Sequence, residues 1–177
     1  MTIHREHPFL GGGRDPIRQF RGRMIAPVSV WTAAAGGRRA GWTVSSFLIA
    51  DGAPAVVVGL VDEDSDFAAA LSVGRTFVVN LLGWQHRALA EAFAGLAPAP
   101  GGVFRLGSWI ETDWGPILDG VPAWLGARAT GGNAEHAGWA LLVRAEIEHV
   151  EISPEDEEPL LGHIRARYLP ILSPRST

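Results

Sequence analysis

The sequence predicts a mainly β protein with flanking helices, folded as a closed or partly closed barrel. About five or six short apolar segments rich in Val, Thr and Trp are typical of strands. Several of them are joined by Gly-containing turns of hairpin type, and only short helical patterns lie between them. With 177 residues, 47% of them hydrophobic and 19% charged, the chain is long enough for one domain with a sizeable core.

The N-terminal half predicts strands that alternate with short helices. Asp15 and Pro16 are a typical N-cap and first helical residue, and the helix they begin carries its apolar residues on one face: Ile17, Phe20, Met24 and Ile25. Strands are predicted over residues 27–32 and 43–47, with Gly36-Gly37 in the turn between them. A third strand over residues 55–61 is apolar throughout, so we expect it to be buried on both faces.

The remainder of the chain continues this pattern. A short helix over residues 67–73 follows an acidic segment, and a second helix begins near residue 84. Strands are predicted at four further places: residues 75–82, around Trp109, residues 123–130 and residues 139–150. We expect residues 1–14 to form a flexible arm, residues 15–172 the folded domain, and residues 173–177 a short tail.

Composition excludes several classes of function. The chain has no cysteine, which excludes thiolate chemistry and disulfides, and no lysine, which excludes a Schiff base on that side chain. A net charge of -4 gives no general attraction to nucleic acid or to anionic lipid. The longest apolar run, residues 53–61, is too short to span a bilayer, and no apolar signal segment follows Met1. We therefore expect a cytoplasmic protein that binds neither nucleic acid nor membrane.

The most distinctive stretch is a strand that carries hydroxyl groups between apolar neighbours, with an aromatic residue at each end. It comprises Trp42, Thr43, Val44, Ser45 and Ser46, followed by Phe47. Backbone groups and hydroxyls could bind a polar ligand here, although Thr and Ser are also common in solvated strands.

Two further polar residues are candidates for a ligand site. Ser65 precedes a helix, where it either caps the helix or contributes to an anion site. Asn80 is the one polar residue in an apolar strand, and it either forms a turn or directs its amide at a ligand. No phosphate loop, no histidine pair with metal-ligand spacing and no nucleophile elbow is present.

The order of these motifs resembles the flavin reductase-like proteins with an FMN-binding split barrel. The resemblance rests on residues 27–30, the hydroxyl strand, Ser65, and residues 77–82 followed by Gln85. It continues through residues 116–125 and ends with residues 159–163 and 167–168, so it covers about residues 17–170.

The resemblance implies a homodimer of six-stranded split barrels with FMN near the dimer interface; FAD or riboflavin are alternatives. Residues 42–46 would hold the flavin ring and its ribityl chain, Ser65 would meet the phosphate, and Asn80 would lie close to the flavin. His136 would lie where the nicotinamide enters, and His163 and Tyr168 would border the same cleft.

These expectations lead to an NAD(P)H-dependent flavin reductase, with NADH or NADPH as the reductant. Hydride would pass from the nicotinamide to the flavin, and the reduced flavin could supply a partner monooxygenase. No catalytic acid or base is predicted, because hydride transfer needs none. The alternative is a non-catalytic split barrel that binds flavin or another cofactor, which the acidic segment Asp62–Asp66 favours.

Overall fold

The structure is a computed structural model that describes residues 15–71, 75–130, 135–154 and 158–172. The arm and the tail expected from the sequence lie outside these ranges. The helices of the described chain are short: α1 (Pro16–Arg21), α2 (Asp66–Ala70) and α3 (Arg87–Phe93), with 3-10 turns at Trp84–His86 and Val103–Leu106.

Most of the regular structure is β. The strands in chain order are β1 (Ala26–Pro27), β2 (Ser29–Ala35), β3 (Arg38–Val44), β4 (Phe47–Ala50), β5 (Val56–Val61), β6 (Thr76–Leu81), β7 (Trp109–Thr112), β8 (Gly115–Leu118), β9 (Ala123–Ala129), β10 (Glu135–Ala137), β11 (Ala140–Ile152), β12 (Leu160–Ile164) and β13 (Arg167–Ile171).

An eight-stranded sheet forms the barrel. Its strand order is β3-β2-β6-β9-β11-β5-β4, and β10 pairs with β11 beside this path. The chain passes from β3 at one edge to β4 at the other through Ser45 and Ser46 alone, so the sheet must curl until its edges meet. The predicted barrel is therefore confirmed. We call the segment Ser45-Ser46 the strand corner.

Two smaller sheets flank the barrel. One contains β1, β12 and β13, and the other is the hairpin β7-β8. The barrel interior holds an aromatic cluster in which Trp31 stacks on Phe77 at 5.1 Å between ring centroids and meets Phe67 edge-on at 6.0 Å. Phe67 is completely buried in this cluster, and through it α2 packs against β2 and β3. In the described part of the chain, no helix is long and apolar enough to cross a membrane.

One expectation about burial was wrong. The strand β5 is buried on one face only: Val57 and Val61 are 0% exposed, whereas Leu60 is 37% exposed. The reason is that α2 packs against β2 and β3 and leaves the outer face of β5 uncovered by described residues. Helix α1 forms with Asp15 as its N-cap, but its apolar face is exposed, with Phe20 at 71%.

The first strands and helices also differ in extent from the prediction. Strand β2 continues to Ala35, because the hairpin pairs Ala35 with Arg38 across the Gly36-Gly37 turn. Helix α2 ends at Ala70 rather than at residue 73, and residues 72–74 lie outside the described ranges. The helix expected from residue 84 begins as a 3-10 turn before α3, which buries Leu89 and Phe93.

Candidate functional site

The strand corner is fixed by its neighbours in the barrel. The hydroxyl of Ser29 donates to the carbonyl oxygen of Val44 at 2.8 Å, immediately before the corner. The backbone N-H of Leu60 donates to the carbonyl oxygen of Ser46 at 2.9 Å. The corner is thus tied to β2 on one side and to β5 on the other, which holds its backbone in one conformation.

The hydroxyls of the predicted flavin strand divide into two groups. Thr43 donates its hydroxyl to the carbonyl oxygen of Ala90 in α3 at 2.7 Å, so it joins the barrel to that helix. By contrast, no hydrogen bond of the Ser45 or Ser46 hydroxyl is found to a residue that the structure describes. Both serines are half-buried, which leaves their hydroxyls within reach of a ligand.

The two remaining residues of this strand contribute mainly to packing. Val44 is 2% exposed, and its side chain belongs to the core. Trp42 is half-buried and packs against the same core cluster. Any contact of Val44 with a ligand would therefore be through its backbone.

His136 lies next to the acidic segment that precedes Ser65, although it is far from that segment in sequence. His136 Nδ1 lies 3.6 Å from the carboxylate oxygen Oε2 of Glu63, two residues before Ser65. The pairing of Val61 with Leu141, and of Leu141 with His136, aligns these elements across β5, β11 and β10. Because Leu60 bonds to Ser46, this group adjoins the strand corner.

The Ser65 hydroxyl is already engaged within the chain. It donates to the carbonyl oxygen of Asp62 at 2.6 Å and accepts the N-H of Ala68 at 3.1 Å. Ser65 is thus the N-cap of α2, the structural alternative that the sequence left open. Its contact with a flavin phosphate remains a prediction.

His163 and Tyr168 form a pair on the C-terminal hairpin. They are opposite each other in β12 and β13, with ring centroids 5.6 Å apart. The hairpin joins the barrel beside the corner, because Val28 donates its N-H to the carbonyl oxygen of Leu161 at 3.0 Å. Val28 precedes Ser29, the residue that bonds to Val44, so the hairpin lies on the opposite side of the corner from His136.

Tyr168 is held in its neutral form. Burial raises the pKa of its phenol to about 12, and the negative charge of Glu91 in α3 adds to the rise. A neutral phenol can donate a hydrogen bond at any physiological pH. This fits a residue that borders a binding cleft, and the assignment remains a prediction.

Asn80 has a structural role. Its amide nitrogen donates to the Val30 carbonyl oxygen and to the Thr32 hydroxyl, both at 3.1 Å, and its amide oxygen accepts the Leu118 N-H at 2.8 Å. The side chain is 0% exposed. These bonds engage both of its amide donors, so the geometry gives no support to a hydrogen bond from Asn80 to the flavin.

Sequence reasoning missed two buried polar residues near the corner. Ser29 is 0% exposed and also accepts the indole N-H of Trp31 at 3.0 Å. Asp62 is 4% exposed, and its Oδ1 accepts the N-H of Asp64, while its Oδ2 has no hydrogen-bond partner among the described residues. The sequence signal for Ser29 was a single serine within an apolar strand. Asp62 could not be distinguished in sequence from the other acidic residues of its segment.

Two surface cavities adjoin the barrel, and none of the predicted site residues lines either. One, of about 470 Å³, lies between α3 and residues 106–119 and is lined by the carboxylates of Glu91 and Asp119. The other, of about 480 Å³, lies over β5 and β11. Ser45 and Ser46 form the strand corner itself, and neither cavity includes them.

The chain matches the model of the flavin reductase like domain over residues 21–171. The chain belongs to this family. It is 30% identical over 160 residues to "FMN reductase (NADH) RutF 1" of Methylorubrum extorquens, covering 90% of this chain and 77% of that one. It is 31% identical over 152 residues to "NADH:FMN oxidoreductase" of Rhodococcus erythropolis, covering 84% and 77%. The resemblance drawn from the motifs is confirmed.

Solved structures of flavin reductases share the fold. The flavin reductase of the styrene monooxygenase of Pseudomonas putida S12 superposes with a TM-score of 0.75 at 22% identity, covering 89% of this chain and 97% of that one. The NADH:FAD oxidoreductase SgcE6 of Streptomyces globisporus, solved with NAD and FAD fragments, gives a TM-score of 0.77 at 20% identity, covering 93% and 96%. At these identities the likeness establishes the split-barrel fold of this flavin reductase-like chain.

Proposed function

We propose that this flavin reductase-like protein is an NADH-dependent flavin reductase that transfers hydride from the nicotinamide to FMN. The observation that carries the proposal is the strand corner, where two serine hydroxyls without described partners stand on a fixed backbone. The curated relatives support the choice of FMN and NADH, because their names specify this flavin and this reductant. NADPH, FAD and riboflavin are the other substrates to be compared.

The residues around the corner suit a flavin in their chemistry. Ser45 and Ser46 can donate to or accept from the ring edge and the ribityl hydroxyls. When bound, the flavin supplies the electron-accepting chemistry, and the protein supplies binding and orientation. His136 on one side and the His163-Tyr168 pair on the other would bound the place where the nicotinamide must lie.

The absence of a predicted general base agrees with this reaction. A hydride moves with its electron pair directly between two rings, so catalysis depends on holding the rings close together and excluding water. In the proposal, a second copy of the chain completes the enclosure. The exposed apolar side chains of β4 and β5, among them Leu48 and Leu60, are suited to such an interface.

Delivery of reduced flavin to a partner monooxygenase is the proposed use of the product. The support is indirect: a structural neighbour is the reductase of a styrene monooxygenase. The alternative, a flavin-binding barrel without reductase activity, is favoured by one observation. Four carboxylates surround Ser65, whose hydroxyl is already engaged, so the chain offers little to a phosphate there.

The test is a steady-state assay of NADH oxidation with added FMN, followed by absorbance, together with flavin binding by fluorescence quenching. We expect Ser45→Ala and Ser46→Ala each to weaken flavin binding about two- to tenfold, as for the loss of one hydrogen bond. The matched control is Ser153→Ala, because Ser153 bonds to Val121 beyond the end of β11. Unchanged affinity in both corner variants would place the flavin elsewhere.

Two further measurements separate the alternatives. Saturable flavin binding without NADH or NADPH oxidation would identify a binding protein rather than a reductase. For the reductase, His136→Ala should raise the KM for NADH while flavin affinity stays the same, because its exposed imidazole lies beside the corner rather than in it. An unchanged KM would remove His136 from the nicotinamide site.

A further inference from the structure

The cavity over β5 and β11 contains a cation with no partner in the described chain. It has a volume of about 480 Å³ and is lined by Pro54, Val56, Thr130, Arg144 and Glu146. The cavity is open to solvent, so a ligand there would lie along the outer surface of the sheet rather than be enclosed. No ion pair or side-chain hydrogen bond of the Arg144 guanidinium is found to any residue in the described ranges.

The backbone that carries Arg144 is well fixed. Its carbonyl oxygen accepts the N-H of Thr130 at 2.9 Å and the Thr130 hydroxyl at 3.3 Å. On the other side of the strand, Arg144 pairs in register with Val58 of β5. The neighbouring residues Val143 and Ala145 are buried, so Arg144 and Glu146 both face outward, into the cavity.

This outer face leads to the strand corner. Val58 pairs with Arg144 on one side and with Leu48 of β4 on the other, so the three side chains form one row across the strands. Neighbouring strands are about 4.8 Å apart, which places the Arg144 backbone about 10 Å from that of Leu48. Leu48 follows Ser46 by two residues. A ligand that begins at the corner and lies along this face would thus approach Arg144.

Other parts of the described surface are unfavourable for an anion. The cavity beside α3 is lined by Glu91 and Asp119 and by no arginine. The beginning of α2 carries Asp62, Glu63, Asp64 and Asp66, and the Ser65 hydroxyl is engaged there. Arg128, on the strand beside Arg144, is already bound to Glu148.

We propose that Arg144 binds the phosphate of a phosphorylated polyol in this cavity, and that Glu146 accepts a hydrogen bond from an adjacent hydroxyl. The inference rests on the proposed function, which provides two sources of that chemistry: the ribityl phosphate of FMN and the ribose pyrophosphate of NADH. Arginine is suited to the role because its planar donors bind phosphate oxygens in pairs. Pro54 and Val56 form the apolar wall against which the sugar carbons pack.

The experiment compares ligands with and without the phosphate, by calorimetry or fluorescence at low salt and without turnover. FMN is compared with riboflavin, and ADP with adenosine, for the wild type and for Arg144→Gln. Arg38→Gln is the control, because Arg38 lies on the β2-β3 hairpin and does not line the cavity. The loss of a charge-assisted bond at an exposed site should weaken the phosphorylated ligand about five- to thirtyfold.

The two sources give different results. If the phosphate belongs to the flavin, Arg144→Gln binds FMN no better than riboflavin, and ADP affinity is unchanged. If it belongs to the reductant, ADP binding weakens and the KM for NADH rises, whereas FMN affinity and the KM for reduced nicotinamide riboside, a reductant without phosphate, change far less. Glu146→Ala should weaken the same ligand about two- to tenfold although it removes a repulsive charge; tighter binding would contradict the role of Glu146.

Unchanged affinity of both FMN and ADP in Arg144→Gln would overturn the site. That result would leave the proposed function intact if the wild type oxidises NADH with FMN. Conversely, phosphate-dependent binding that requires Arg144, without any turnover, would support the site and refute the reductase. A protein that binds none of the four ligands would refute both.

Discussion

Replacement of Asn80 by alanine should destabilise the barrel without changing its intrinsic affinity for flavin. The amide joins three elements: it donates to Val30 and Thr32 in β2 and accepts the backbone N-H of Leu118 in β8. Alanine removes all three bonds in a region with no water-accessible surface, since Asn80 is 0% exposed.

The magnitude follows from what is left behind. The Leu118 N-H would remain buried without its acceptor, and a buried unsatisfied group costs about 1–3 kcal/mol. Loss of the bonds to β2 and of the packed side chain raises the expected total to about 3–4 kcal/mol. A domain of this size is typically stable by about 5–15 kcal/mol, so the variant should still fold at 25 °C. At about 2–4 °C per kcal/mol, its Tm should fall by roughly 6–16 °C.

Urea unfolding of the apoprotein gives the free energy, and flavin titration below the transition gives the affinity. Thr32→Val is the companion variant, because the Thr32 hydroxyl accepts from Asn80 and itself donates to the Pro116 carbonyl oxygen at 2.6 Å. A double-mutant cycle should show coupling of about 0.5–3 kcal/mol between the two residues. A loss of stability below about 1 kcal/mol, together with a large loss of flavin affinity, would refute the structural role of Asn80.

Three further predictions concern single groups. Tyr168 is the only tyrosine in the chain, so tyrosinate absorbance of the folded protein should rise only as pH approaches about 12. Stability should fall as pH rises above 10.0, the pKa of the phenol in the unfolded chain. Titration of the folded protein in the range of a free phenol would show that the ring is not buried. Hydrogen bonds from Arg128 and, to a lesser degree, Trp114 lower the pKa of Glu148 in the folded protein. These bonds therefore stabilise the fold above the unfolded pKa of about 4.3, and the stabilisation is lost as pH falls through the lower folded pKa. Glu148→Gln should flatten that acid limb of the urea-midpoint profile, and a parallel profile would contradict the assignment. Gly59→Ala should cost about 1–3 kcal/mol, because its new methyl group would meet the buried Trp31 ring; an unchanged urea midpoint would show that the ring can move aside.

The sequence was sufficient for the fold class because strand patterns are local. Alternating and apolar runs, glycine turns and short helices are each specified within about ten residues, and they led to the barrel. The exposure of β5 could not be read in this way. A continuous apolar run shows only that both faces avoid charge, and whether a helix covers the outer face depends on where α2 packs.

The sequence identifies polar residues as candidates for the site, but it does not show what their side chains bond to. Thr43, Ser45 and Ser46 are equivalent as a pattern, yet the Thr43 hydroxyl is used by Ala90, 47 residues away, while the serines have no described partner. The amide of Asn80 is likewise used by residues 50 and 38 positions distant. Such partners come from tertiary packing, which a strand pattern does not contain.

The same argument explains why the acidic segment was ambiguous and Arg144 was overlooked. In sequence, Ser65 at the beginning of a helix resembles an anion site, but the short loop before α2 turns its hydroxyl onto Asp62. Arg144 is one outward residue of a long strand, and only the pairing β4-β5-β11 places it on the face that carries the strand corner. The residues next to Ser65 are all acidic or apolar. If the barrel binds a phosphate, the cation that pairs with it must therefore come from a strand that is distant in sequence. The affinities of Arg144→Gln for FMN and for riboflavin therefore show whether the phosphate is recognised by residues next to Ser65 or by an arginine that tertiary pairing brings from β11.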